Sequence, residues 1–202
     1  GICGSKIFNP ARHSLDLFFE RDWTRLPSPT SFGHDIELSW LMSEATHVAG
    51  LQEADTRETT ILLARNTLKA VLPGGGRGIA YEGDSAGAAH DKRRIWWAEA
   101  EALVGFANAY RLTGEQAFRE AFLEIEQWVE NHQIDRTHGD WHEAIGPDDR
   151  PSGDKGHLWK EPYHQSRACL ELAAHGFISN RPSGPHNRAH LPSSSSGAGT
   201  HR

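Results

Sequence analysis

In "SFGHDIELSW", residues 31–40, His34, Asp35 and Glu37 stand together where an amphipathic pattern begins. A histidine at a helix N-terminus feels the positive end of the dipole and the free N–H groups, which keep its ring neutral and able to accept a proton. "PYHQSRACLEL" repeats that placement with His164. Two neutral imidazoles facing one cavity suit removal and return of a proton at a carbon acid, because each base works best with a pKa near the operating pH. Glu37, one turn from His34, is placed to hold that ring's tautomer and to stabilise the imidazolium when it forms. A plainer reading makes His34 or Asp35 a helix cap and Glu37 a residue suited to the dipole.

Trp96, Trp97 and Trp159 add flat indole faces of the kind that pack on the C–H faces of sugar rings, giving an apolar pocket with a few polar groups. Of the adjacent pair, one belongs in the cavity and one in its wall, and register with His34 and Glu37 favours Trp96 for the cavity. Other signals are weaker. His138 and His142 are four apart in "HGDWH", but Gly139 and Asp140 interrupt the helix that would align them on zinc, so no metal site is expected. "PGGGRG" lacks the Lys-Ser/Thr of a phosphate loop, and no Gly-x-Ser-x-Gly elbow is present.

The elements that must carry these residues are helices. Residues 36–48, 55–72, 93–113, 115–133 and 162–177 read as five helices, with Gly50, Pro73 and Gly114 as stops and Pro162 in the first turn of the last. "LDLFFERDW", "GIAYEGD" and "GDWHEAIG" read as short strand-like links. Three helix openings overlay as His34-Asp35-Ile36-Glu37, Trp96-Trp97-Ala98-Glu99 and His164-Gln165-Ser166-Arg167, a recurrence within the range of helical-hairpin repeats. Positions i and i+3 share a face, so each opening presents a pair in one direction. An all-α toroid of helical hairpins, its loops gathered at one mouth, accounts for this loading. An open solenoid that binds protein accounts for the helices but not for the histidines and aromatics at one end.

Composition sets the bounds. The chain has 202 residues, 37% of them hydrophobic, with seven tryptophans and a formal charge of −6. That balance offers no basic footprint for nucleic acid or anionic lipid. No apolar run approaches a membrane span of roughly 20 residues, and two widely spaced cysteines suggest a reducing compartment, so a cytoplasmic protein is expected. The first residue reads as an internal cut. Residues 1–178 are expected to form one domain and 179–202 a disordered Ser/Gly/Pro-rich tail.

"KIFNP", "SFGHDIELSWLM", "RRIWWAEAEALVGFANAYRLTG" and "LWKEPYHQSRACLEL" together closely resemble the C-terminal half of cellobiose 2-epimerases, within the N-acylglucosamine 2-epimerase family. The resemblance runs from Lys6 to about Phe177. It implies the C-terminal half of an (α/α)6 barrel and a reaction without cofactor, in which one histidine takes the C2 proton of a ring-opened sugar and another reprotonates the cis-enediolate from the opposite face. Carried over by motif, His34 and His164 match the acid/base pair and Glu37 the acid beside the first. Trp159 matches a sugar-stacking indole, and Trp96 or Trp97 a second aromatic platform. Glu99 stands at a pocket position where the family commonly has an amide, and Glu161 where a small residue is usual. A further histidine and an arginine of the family's N-terminal half have no match here. The resemblance therefore implies a sugar substrate, cellobiose or lactose, and a truncated chain whose open face invites self-association. An aldose–ketose isomerase of the same family and an (α/α)6 glycoside hydrolase built on Glu37 and Glu99 are the rivals.

Overall fold

The computed structural model describes residues 2–74 and 77–177, so the expected tail at 179–202 lies outside the described residues. Five α-helices form the body: α1 (Phe32–Val48), α2 (Ala54–Leu68), α3 (Trp96–Thr113), α4 (Gln116–Trp128) and α5 (Tyr163–Ala174). α1 packs on α2 and α3 on α4, while α3 also lies against both α1 and α5. Alanine-rich α3 is buried without a break from Ala98 to Ala107, as befits a helix at the centre of the packing. α4 buries only Phe118, Ala121, Phe122, Ile125 and Trp128, one stripe at helical spacing, and is therefore an outer helix.

Short antiparallel strands sit where the helices begin. β1 (Phe8–Asn9) pairs with β2 (Ser14–Leu15). β3 (Thr30–Ser31), β4 (Glu82–Gly83) and β5 (Ala89–Asp91) form one three-stranded sheet. β6 (Arg94–Ile95), β7 (Ala144–Ile145) and β8 (Pro151–Ser152) form another. Register places Ser31 opposite Glu82 and Ile95 opposite Ala144, and the next residue in each chain, Phe32 or Trp96, opens a helix. The sheets thus fix the starting points of α1 and α3.

The expected helices are all present, with adjusted ends. The reading of one helix to residue 133 gives way to a wide π-helical turn, Val129–Gln133, closed by the Ile134 N–H on the Val129 carbonyl at 3.1 Å. Pro162 occupies the N-cap of α5 and not its first turn. Gly114 ends α3 in the left-handed conformation, φ 72°, its N–H bonded to Tyr110. The cap of α1 is Ser31, whose hydroxyl accepts from the His34 N–H at a long 3.5 Å. Asp35 does different work: its buried carboxyl accepts the Leu15 N–H at 2.8 Å and the Asn66 amide at 3.1 Å, joining β2 and α2 to α1. Burial pushes its pKa up to about 7, against the pull of those two donors.

α1 and α3 cross closely because Gly105 has no side chain. A Cβ there would lie 2.3 Å from Cγ1 of Ile36, inside van der Waals contact. Gly105→Ala is expected to cost about 1–3 kcal/mol through overpacking, read from urea denaturation followed by circular dichroism. An unchanged midpoint would show that the two helices separate freely.

Candidate active site

The first turns of α1, α3 and α5 converge on a cavity of about 610 Å³ whose lining includes His34, Glu37, Trp96, Trp97, Trp159 and His164. Within that lining the Trp97 indole meets three other rings. The His34 ring lies 4.7 Å from it and the His164 ring 5.7 Å, centroid to centroid, while Tyr81 meets it edge-on at 6.1 Å. Histidines 130 positions apart by their numbering therefore share one aromatic surface. Gly33 seats that surface, since a Cβ on it would fall 2.5 Å from Cη2 of Trp97.

Each imidazole has a different partner. Nδ1 of His164 is 2.7 Å from Oε1 of Glu101. A carboxylate only accepts, so Nδ1 carries the hydrogen, and in the neutral ring the lone pair is on Nε2. Glu101 itself is almost completely buried and also accepts the Trp40 indole N–H at 2.8 Å and Nη2 of Arg167 at 2.6 Å. Arg167 reaches Oε1 of Glu37 at 3.0 Å and lies over the rings of Trp40 and Tyr163. Ligand atoms of Glu37, Glu101 and His164 lie within 4.8 Å of one another, the types and spacing of a metal cluster. A guanidinium already bonded to both carboxylates occupies that role as a cation.

Nδ1 of His34 is 2.7 Å from the Ser31 hydroxyl, so the expected tautomer-holding bond from Glu37 is replaced by one from the helix cap. Glu37 acts on His34 through charge alone. Loss of water around the His34 ring lowers its pKa and His164 pushes the same way, while Glu37 and Glu82 oppose. His34 as a residue keeps exposed surface, yet the loss of water around its ring outweighs the two acids.

The aromatic pair is not divided between cavity and wall as expected. Trp96 and Trp97 both line the cavity, but Trp97 touches the two histidines and Trp96 is buried against His157 and Lys160. Glu99, read as a pocket residue, is fully buried outside the lining, with Oε1 accepting the Ile79 N–H at 2.9 Å. Two residues past Trp97 on a helix is about 200° around, the far face, whereas Glu101 is about 40° away and shares the cavity side. That i, i+4 relation to Trp97 was the available signal for Glu101, as i, i+3 from His164 was for Arg167. Trp159 stands exposed at the rim, and Glu161 is exposed outside the lining.

This is a helical protein whose paired imidazoles, aromatic surface and buried carboxylate meet in one cavity, an arrangement suited to proton transfer on a small polar ligand. The model of the N-acylglucosamine 2-epimerase (GlcNAc 2-epimerase) family matches residues 3–168, and the chain belongs to that family of carbohydrate epimerases. It is 32% identical over 174 residues to the cellobiose 2-epimerase of Eubacterium cellulosolvens, covering 85% of this chain and 42% of that protein. Its fold matches the solved cellobiose 2-epimerase from Bacillus thermoamylovorans B4167 with a TM-score of 0.80 at 33% identity, over 86% of this chain and 45% of that one. A D-mannose isomerase structure shares the fold alone, with a TM-score of 0.73 at 19% identity over 80% of this chain and 44% of that one. The chain spans less than half the length of each of these relatives.

Two measurements check the electrostatics. The His34 ring is expected to titrate below the usual histidine range, and Glu37→Gln should move the midpoint lower still by removing a charge that favours the imidazolium. Ring nitrogen shifts followed by NMR across the titration give both midpoints, and an upward movement in the variant contradicts the assignment. Burial raises the Glu99 pKa to about 8, so the native protein holds a proton there that the unfolded chain releases. Stability contributed by this protonated form is lost as pH rises above the ordinary glutamate range and through about 8. Glu99→Gln should therefore gain roughly 2 kcal/mol over the parent between pH 6 and pH 9, measured by urea denaturation at each pH.

Proposed function

We propose that this chain is the C-terminal half of an (α/α)6 barrel and that the complete protein is a sugar 2-epimerase. It interconverts reducing-end glucose and mannose in β-1,4-linked disaccharides such as cellobiose and lactose. The observation that carries this reading is the pair of imidazoles packed against one indole, Trp97, with one backed by Ser31 and the other by Glu101. With the sugar ring opened, one Nε2 removes the C2 proton, giving a cis-enediolate. The other imidazolium returns a proton to C2 on the opposite face, and running the reaction backwards exchanges the two roles. Trp97 and Trp159 supply the stacking surfaces, and Arg167 holds Glu37 and Glu101 in place without touching the sugar.

Support for an incomplete barrel comes from the other end of α1, α3 and α5. There a second cavity of about 210 Å³ is walled by Trp40, Val104, Leu172 and Phe177, with Leu51 on its lining left exposed. This is the face on which the missing hairpins pack, or through which the chain alone self-associates. Cys3 and Cys169 are free thiols, in keeping with a cytoplasmic location. Among the described residues no helix is long and apolar enough to cross a membrane. The hydrolase alternative loses its carboxylate pair, because Glu99 does not reach the cavity.

Cellobiose in D2O, followed by NMR with this chain and with a version carrying the N-terminal half, tests the reading. Deuterium at C2 with a mannose reducing end supports it. A ketose product selects the aldose–ketose isomerase, which delivers the proton to C1, and free glucose selects a hydrolase. His164→Ala in the complete protein is expected to abolish C2 exchange, a loss of at least about 100-fold for a general base. Exchange at the parent rate in that variant removes His164 from the mechanism.

A further inference from the structure

Trp159 is 78% exposed, so packing does not hold its indole where the cavity needs it. It sits beside Leu158 at the tip of a tight turn whose ends, His157 and Lys160, pair back to back. The His157 N–H meets the Lys160 carbonyl at 3.3 Å and the Lys160 N–H meets the His157 carbonyl at 3.0 Å. Beneath the turn, the Lys160 side chain has no exposed surface. Its ammonium donates to Oδ2 of Asp140 at 2.9 Å and to the Lys155 carbonyl at 2.9 Å, and lies 5.7 Å from the centre of the Trp96 ring. The other oxygen of Asp140 accepts the side-chain amide of buried Gln165 at 2.9 Å. Gln165 adjoins His164 in the first turn of α5.

We propose that Lys160 is a positioning residue: its buried ammonium fixes the turn that presents Trp159 and, through Asp140 and Gln165, the opening of α5 that presents His164. A fully desolvated lysine is costly unless paired, so the turn is held where the pairing is met and resists excursions that break it. The charge contacts no ligand itself. Its functional consequence rests on the epimerase reading above, in which Trp159 stacks on the sugar, but the positioning does not.

The test uses the chain as it is, labelled with 5-fluorotryptophan and observed by fluorine NMR, with the Trp159 signal assigned by Trp159→Phe. Lys160→Met keeps the length of the side chain and removes its charge. The partner left behind, Asp140, has a side chain 40% exposed, so water can take over its solvation. The expected result is a Trp159 signal that narrows and moves as its turn loosens, a shifted Trp96 signal, and an unmoved signal from Trp128, which is buried in the core. A Trp159 signal that stays in place with Trp128 intact overturns the proposal. If Trp128 reports unfolding, Lys160→Met combined with Asp140→Asn removes both charges and is read in the same way. Unfolding of that double variant also overturns it, since Lys160 then serves the core and not the turn. No sugar enters these measurements, so their failure is separate from a failure of the epimerase reading, which the C2 exchange experiment decides.

Discussion

Glu101 is the point through which the three cavity-forming helices are joined. Its Oε2 accepts the indole N–H of Trp40 from α1, and its Oε1 accepts His164 and Arg167 from α5. α3, which carries it, lies between those two helices. A carboxylate with 1% exposure is tolerated only when its lone pairs are filled, because an unpaired buried charge costs several kcal/mol. The requirement works in both directions. Sliding α1 or α5 along α3 strands a charge, so the helix openings are held in the one register at which the donors meet. Arg167 extends the tie by bonding Glu37, which returns the chain of contacts to α1 two residues after Asp35. The first turns that line the cavity are thereby fixed by a bond made one turn deeper.

Space is the second constraint. Gly33 and Gly105 mark two levels of the α1–α3 contact, the first accepting the edge of Trp97 and the second the side chain of Ile36. Without side chains at these points the helices approach closely enough for Trp40 to reach Glu101. The same approach brings His34 over the indole. Tertiary contact and site geometry are therefore one arrangement, and a methyl group at either glycine disturbs both.

Helix identity was legible because local chemistry marks it: the stripe on α4, the alanines of α3 and the left-handed stop at Gly114 need no tertiary information. The histidines were legible for the same reason, each lying at a helix opening. Which face of α3 looks into the cavity was not, because α3 is buried on every side and its sequence has no polar face to orient it. Aligning Trp96 with His34 by repeat pointed on to Glu99, one helical turn later, which lies outside the cavity lining. The true register pairs Trp97 with Glu101 at i+4, which the i+3 overlay of the other openings could not select. Ser31 escaped notice differently: the cap was sought in His34 or Asp35, and a serine gives no sign in sequence that its hydroxyl bonds a side chain three residues away. The strand-like links were recognised by composition, yet only their ends belong to the sheets, since register with β3 and β6 depends on residues about fifty positions distant.

The two imidazoles differ in what stands behind them, and that difference bears on the proposed exchange. A carboxylate behind His164 accepts a hydrogen and cannot give one, so that ring has one neutral tautomer and a ready counter-charge for its protonated form. A hydroxyl behind His34 either accepts or donates, so Ser31 stays bonded to the ring in both neutral tautomers. Two-base inversion at a carbon needs one ring neutral and one protonated at the same instant. Crowding at His34 disfavours its charged form, and Glu101 is the partner that an imidazolium at His164 requires. On the proposed chemistry, the direction of the reaction decides which ring acts as base and which as acid, and the hydroxyl at His34 lets that ring change roles without turning.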